Sequence, residues 1–355
     1  MIAMITEKTS IFQRPVWVAL FALTAAVVWG WAYPLIKLGF AEFNITPDMT
    51  GSKMLFAGIR FCISGLIILA IAKITNRSFG FKREGSTAAE GQTGVKTVPL
   101  GRTETVRVKE SGKVSETPSC GTKAKGRSTM GMWFYLLIFS LLNTTLHYMC
   151  FYIGLSHCFG ARAAILNSMS VFTTVILACA FFKTDKMNVR KILGCVMGFA
   201  GVLSLNIGGE DSGSFTLLGD GMIILNALCG ASASLLTRGL GKRIDVFVGT
   251  GYSLGLGGAL LVIPGLLMQG QLPTVTPWGI VILILLIGIS TIGFSLYNKL
   301  LTCNPVGKVA IYNSLIPVVG AITSCLCLGE TFYWKYILAG ALATAGIYII
   351  NKGKR

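Results

Sequence analysis

The sequence predicts an all-α integral membrane protein with ten transmembrane helices arranged as two inverted five-helix repeats. Three observations carry that prediction. The 355 residues are 53% hydrophobic and only 13% charged, against roughly 25% charged in soluble domains. Ten apolar stretches each approach the ~20 residues that a bilayer requires, at roughly 16–36, 54–72, 132–153, 162–182, 190–208, 217–237, 246–268, 278–301, 307–328 and 333–351. The stretch from Gly160 to Asn206 is also written a second time, from Val306 to Asn351.

The two copies run in register over Ala164-Ile165-Leu166-Asn167-Ser168 and Ala310-Ile311-Tyr312-Asn313-Ser314. Ile176 matches Ile322 and Cys179 matches Cys325; after a one-residue slip, Leu193, Gly201 and Asn206 match Leu338, Gly346 and Asn351. Earlier in each half, Gly30 aligns with Gly230, Gly65 with Gly257 and Tyr152 with Tyr297. Self-similarity of this kind marks a repeat. Residues 1–208 form the first repeat, with helices one to five, and residues 209–355 the second, with helices six to ten. An odd number of spans per copy makes the second copy enter the membrane from the opposite face. Inverted repeats are a transporter-type architecture.

Taken in order, the first span runs too long for a signal peptide and lacks a small-residue cleavage pattern after it. It carries Trp29-Gly30-Trp31-Ala32-Tyr33-Pro34, bulky aromatics beside a helix breaker. Trp29 and Tyr33 share a face, placed to close over a substrate or to pack on neighbours. Lys37, at the outer end, reads as a snorkelling lysine, with a second cationic contact to a substrate as the alternative. The second span holds Arg60, the one ionisable residue well inside a helix and about 9 Å along it at 1.5 Å per residue. Its charge needs a partner: a substrate carboxylate or phosphate, or else backbone carbonyls or an outward path to water.

Residues 78–129 are rich in Gly, Ser, Thr, Lys, Arg and Glu, lack apolar periodicity and interrupt the first repeat. They read as a disordered cytoplasmic insert, with anionic lipid or RNA binding as the alternative to a plain solvated loop. In the third span His147, Tyr148 and Tyr152 lie in the outer half of the membrane, with Tyr297 as the counterpart of Tyr152 in the eighth. His147 is the sole intramembrane candidate for a proton site, or else a core histidine bonded to Asn143 or a carbonyl. The pairs Asn167-Ser168 and Asn313-Ser314 start about five residues beyond Arg162 and Lys308 and approach the midplane from opposite faces. They suit helix-to-helix hydrogen bonds or a pore lining. Pro317 in the ninth span, against Val171 in the fourth, predicts an unequal bend. The four-residue spacings Gly194/Gly198 and Gly251/Gly255 allow close helix packing.

Charge sets the expected orientation. Of 31 Lys and Arg, 26 fall on the side that holds both termini. Four, Lys37, Lys53, Arg162 and Lys335, fall on the other, and Arg60 lies within a span. Both termini are therefore expected in the cytoplasm of an inner-membrane protein, and the net charge of +17 needs no acidic partner. All 14 Asp and Glu lie in loops or at helix ends. Carriers of protons and cations commonly place an acid inside the membrane, so a lipophilic-cation antiporter is disfavoured. Two His, no His-Glu-x-x-His and no paired acids disfavour a hydrolytic or metal enzyme. Cys325-x-Cys327 points to diverging sides of a helix and reads as core, not as a metal pair.

Trp29-Gly30 with Pro34, Ile59-Arg60-Phe61, and Leu328-Gly329-Glu330 before the Gly340-containing last span resemble motifs of the drug/metabolite transporter superfamily, specifically its EamA-type members. The resemblance covers nearly the whole chain outside 78–129. It implies ten helices in two repeats and a central cavity through which amino acids, metabolites or drugs move by alternating access. In the first repeat the acid-bearing motif has decayed to Lys183-Thr184-Asp185.

The expectation is a secondary transporter for a small neutral or anionic metabolite, with multidrug export as the alternative and a non-transporting scaffold as a third reading. The expected substrate-binding residues are Trp29, Tyr33, Arg60, His147, Tyr148, Tyr152, Asn167, Ser168, Tyr297, Asn313 and Ser314. The expected partners are a small-molecule substrate and the lipid bilayer, with a homodimer admissible, and no nucleic acid and no cofactor.

Overall fold

The computed structural model describes residues 11–81, 129–181, 187–204, 215–304, 309 and 311–351. Residues 82–128 of the expected disordered insert lie outside the described residues, as do Lys308 and the whole of Lys183-Thr184-Asp185. All regular structure among the described residues is helical.

Seven stretches are long and apolar enough to cross a membrane. They are α1 (Pro15–Glu42), α2 (Thr50–Ile74), α3 (Thr129–Ser140) continued through a π-helical segment (Leu141–Leu146) into α4 (His147–Ser156), and α5 (Gly160–Asn167) followed by α6 (Met169–Phe181). After the shorter α7 (Val189–Ser204) come a π-helical turn (Leu217–Gly221) leading into α8 (Met222–Leu240), α9 (Val246–Leu267) and α10 (Pro277–Cys303). A 3₁₀ turn (Ile311–Ser314) precedes α11 (Leu315–Leu328), and α12 (Trp334–Asn351) follows. The helices α7, α11 and α12 occupy the places of the fifth, ninth and tenth expected spans.

Local chemistry explains the boundaries. Asp245 caps α9 by accepting from the amides of Phe247 and Val248 at 2.9 and 3.4 Å, and Thr276 accepts from the Gly279 amide at 2.8 Å ahead of Pro277. A side-chain cap followed by proline in the first turn satisfies or removes amides that have no intrahelical acceptor. Pro34 does not break α1, which continues eight residues past it to Glu42. It does free the Gly30 carbonyl from its intrahelical bond, and the Thr323 hydroxyl of α11 lies 3.5 Å from that oxygen. Pro317 sits in the first turn of α11, where proline is tolerated.

Both Asn-Ser pairs stand at interruptions. α5 ends at Asn167 and α6 begins at Met169; the 3₁₀ turn ends at Ser314 and α11 begins at Leu315. Both copies of the repeated sequence depart from regular α-helix at this place, the first at a one-residue turn and the second through the 3₁₀ turn.

Close packing rests on small residues. The α2 glycines Gly51, Gly58 and Gly65 face the α9 glycines Gly251, Gly258 and Gly265, and a Cβ on Gly65 would overlap the Gly255 amide nitrogen. Lipid is as apolar as leucine, so van der Waals contact between closely approaching backbones takes over the role that hydrophobic burial has in water. α7 and α12 meet likewise, where a Cβ on Gly194 would come 2.6 Å from the Gly346 carbonyl. α1 packs on α10 and α11, α8 packs on α4 and α6, and α5 meets α11.

Two ends of the bundle can be told apart. At the first, Asn304 after α10 donates to the Phe12 carbonyl ahead of α1 at 2.7 Å, and Arg77 after α2 lies 3.8 Å from Asp245 before α9. The second end gathers the close of α1, the start of α5 and the residues following α11.

Candidate functional site

Between the helices lies a cavity of about 710 Å³. Its walls come from α1, α2, the π segment, α4, α5, α6, α8, α10, the 3₁₀ turn and α11, with single residues or pairs of α7, α9 and α12, and it runs to the exposed Lys242 and to Asp245 and Lys299 at the first end.

At depth stands Arg60, 2% exposed yet part of the lining. Its Nε donates to the Leu286 carbonyl at 3.1 Å and to Ser290 Oγ at 2.9 Å, and Nη1 donates to the Tyr152 hydroxyl at 2.8 Å. The guanidinium also lies over the Phe61 ring, 4.9 Å from its centre. Nη2 has no hydrogen-bond partner and no carboxylate pairs with Arg60 among the described residues. Arg60 thus caps a backbone carbonyl, the structural role foreseen for it, and also belongs to the cavity lining.

Aromatic rings continue the wall in an unbroken series. Tyr297 meets Trp29 at 5.1 Å, Trp29 meets Phe294 at 5.4 Å, Phe294 meets Tyr148 at 6.4 Å, Tyr148 meets Phe151 at 6.0 Å and Phe151 meets Tyr33 at 5.4 Å. Tyr148 also stacks on Phe61 at 4.1 Å, which joins the ring series to Arg60. The Asn167 amide donates to the Tyr33 hydroxyl at 2.9 Å, and the Asn313 amide donates to the Tyr297 hydroxyl at 2.8 Å. Each asparagine at a helix interruption thereby holds one tyrosine. Because the hydroxyl accepts in that bond, its own proton is left to donate. Asn226 donates to Asn167 at 2.7 Å and fixes its orientation from behind.

The second end is shut by charge. Lys37 Nζ lies 2.9 Å from Glu330 Oε1 and 3.0 Å from the Cys158 carbonyl. The same carboxylate accepts from the first amides of α5, Gly160 at 2.8 Å and Ala161 at 3.1 Å, where the helix dipole favours an anion. Gly329, at φ +63°, lets the chain turn left-handed after α11 and swing Glu330 over that helix end. Beside it Arg162 and Asp220, 2% and 1% exposed, form a two-pronged ion pair at 2.6 and 3.1 Å. Burial, with Asp220 nearby, pushes the Cys158 thiol up to about 12. Lys53, fully buried, donates to the Pro47 carbonyl at 2.6 Å and to Ser156 at 2.9 Å.

Of the expected site residues, Trp29, Tyr33, Arg60, His147, Tyr148, Asn167, Tyr297 and Asn313 line the cavity. Tyr152 stands behind the wall as a partner of Arg60, and Ser168 is buried away from the lining with its hydroxyl unpartnered. The Ser314 side chain lies outside the described structure. Two expected partners are corrected. Lys37 does not snorkel but pairs with Glu330, and Asn143 donates to Ser253 at 3.0 Å and not to His147. Phe151 and Phe294, wall residues that the sequence reading missed, carry no polar signal. Gly293 contributes by its missing side chain: a Cβ there would come 2.5 Å from Trp29 Nε1, so the bare backbone seats the indole.

The EamA-like transporter family model matches residues 121–207 and 217–352. The chain is 24% identical over 337 residues to the uncharacterized transporter YvbV of Bacillus subtilis, covering 94% of this chain and 91% of that one. It is 23% identical over 230 residues to the WAT1-related protein At3g02690, chloroplastic, of Arabidopsis thaliana, covering 62% and 55% of the two chains. A solved crystal structure with 16% identity superimposes at a TM-score of 0.58 over 94% of this chain and 95% of the other, a likeness of fold.

Proposed function

Because the chain belongs to the EamA-like transporter family, we propose that this multi-pass membrane protein is a secondary transporter that moves a small neutral or anionic metabolite by alternating access. The observation that carries this reading is the asymmetry of the cavity. It reaches the surface past Lys242 at one end and is shut at the other by Lys37–Glu330 and Arg162–Asp220, with Arg60 at depth lacking a carboxylate. A carrier needs one such state and its mirror.

Ten spans in two inverted repeats supply the mirror. The helix pairing supports this organisation, because exchanging the halves maps each pairing onto another: α1 with α10 onto α8 with α4, and α1 with α11 onto α8 with α6. α2 with α9 and α7 with α12 map onto themselves. The matched interruptions at Asn167-Ser168 and Asn313-Ser314 support it too, since carriers of this kind bind substrate at broken helices near the midplane.

The charge bias supports an inner-membrane orientation with both termini cytoplasmic. Of the four cations on the minority side, Lys53, Arg162 and Lys335 are buried and Lys37 is paired, so none acts as a free flanking charge. In that orientation the cavity faces the cytoplasm.

Export of lipophilic compounds is the alternative that the ring-lined wall favours. For cationic compounds the described carboxylates count against it: Glu42, Asp48, Asp220, Asp245 and Glu330 are all engaged by other protein groups. The test is flux of labelled metabolites into vesicles that contain the purified protein. Saturable flux of anions or neutral compounds that falls in Arg60→Ala supports the reading. Flux of lipophilic cations alone gives first place to the alternative.

A further inference from the structure

We infer that the cavity selects a flat, apolar monocarboxylate that carries no charged amine, an inference that rests on the transport reading above and narrows its substrate class. Three features converge. The first is charge count. Arg60 is the single deep cation of the lining, its Nε and Nη1 already bonded to protein and Nη2 unbonded among the described residues. One carboxylate matches one guanidinium edge, and a second anionic group at that depth would meet no further cation, because the other lining cations, Lys191, Lys242 and Lys299, lie toward the mouth.

The second feature concerns the amine. A zwitterion brings an ammonium into the same space, and a desolvated ammonium needs a carboxylate or a full set of acceptors, because contact with ring faces returns only a small part of that cost. The one carboxylate among the lining residues is Asp245. It lies at the mouth, caps α9 and faces Arg77 at 3.8 Å. The four lining asparagines, Asn143, Asn167, Asn298 and Asn313, point their amide NH₂ groups at Ser253, Tyr33, Thr250 and Tyr297. The Asn167 oxygen is also taken, by Asn226.

The third feature is the ring series. From Tyr297 through Trp29, Phe294, Tyr148 and Phe151 to Tyr33, the wall offers edges and faces to a planar body, and it meets Arg60 through Phe61. Carboxylate on Arg60 and ring against ring is the arrangement that these positions allow.

The experiment is a thermal-shift titration of the purified full-length protein with four compounds that share one phenyl skeleton. They are hydrocinnamate, phenylalanine, phenethylamine and benzylmalonate. Hydrocinnamate is expected to stabilise the protein with an apparent affinity at least about tenfold above phenylalanine and benzylmalonate, and phenethylamine to leave it unmoved. The hydrocinnamate shift is expected to vanish in Arg60→Gln. Should that variant fail to fold, the ranking on the parent protein decides alone. Phenylalanine equal to hydrocinnamate overturns the amine-free selection while leaving an Arg60 anion site and the transport reading in place. Stabilisation by phenethylamine alone, or by none of the four, overturns the inference, and the former also shifts the transport reading to its cationic alternative.

Discussion

Lys37 and Glu330, 293 positions apart, meet at 2.9 Å where α1 ends and α5 begins. The carboxylate is only 6% exposed, and it also accepts the two first amides of α5. One side chain therefore ties three segments together at the closed end: α1, α5 and the turn after α11. A carrier that alternates must release such a tie, and Glu330 is the natural place to weaken it.

Glu330→Gln keeps a hydrogen-bond acceptor for Gly160 but loses the charge that attracts Lys37 and the helix dipole. The expected outcome is a shift toward the state open at this end, read by labelling of Cys158 with an impermeant maleimide in a background whose other nine cysteines are replaced. In the parent, burial and Asp220 hold that thiol near pKa 12. The thiolate is the reactive form, so parent labelling is slow at pH 7 and rises with pH. In Glu330→Gln it accelerates at pH 7 by roughly tenfold or more; because Glu330 also raises this thiol's pKa, the rate is followed across pH, and opening shows as a higher rate per thiolate. Equal rates in the two proteins would argue against Glu330 as a tie.

Asp220→Asn removes the carboxylate that pairs with the buried Arg162 guanidinium. Removing one member of a buried pair typically costs about 3–5 kcal/mol, so the purified variant is expected to unfold at a clearly lower temperature than the parent. Replacing both residues by apolar ones of similar volume is expected to recover most of that loss, whereas Arg162 and Asp220 contributing independently would give additive losses.

Gly65→Ala forces a methyl group into the Gly255 backbone of α9, and overpacking a tight contact costs about 1–3 kcal/mol. Gly288→Ala in α10 meets nothing within 4 Å and gains helix propensity of roughly 0.5–1 kcal/mol. Yield of monodisperse protein and thermal midpoint are expected to fall for the first and hold or rise for the second.

Gly293→Ala brings its Cβ to 2.5 Å from Trp29 Nε1 and displaces the indole from its place beside Phe294 and Tyr297. Flux is expected to drop about tenfold or more, the cost of a ring misplaced by roughly 1 Å in a binding site, while the thermal midpoint changes little. A variant that transports at the parental rate would remove Trp29 from the cavity wall that matters.

The helix pattern was legible because bilayer thickness dictates length, and length survives in sequence as apolar runs. Arg60 stood out for a related reason, as a charge with no local partner. What could not be read was pairing across distance. Lys37 finds Glu330, and Arg162 finds Asp220, through folding that brings remote helix ends together, so a lysine at a span's edge looked like a snorkelling one. The Asn167-Ser168 and Asn313-Ser314 pairs were visible as repeats, but their position at helix interruptions depends on backbone geometry that Asn and Ser only permit. Phe151 and Phe294 resemble the lipid-facing residues around them, because a phenylalanine on a cavity wall and one facing acyl chains carry the same local signal.

The central claim is that Arg60 holds the anionic end of a substrate that crosses the membrane through this cavity. Its most direct test is counterflow of labelled hydrocinnamate into proteoliposomes preloaded with the unlabelled compound, with parent and Arg60→Gln proteins reconstituted at matched density. Transient accumulation by the parent and none by the variant is the predicted result. Equal accumulation by both proteins would contradict it.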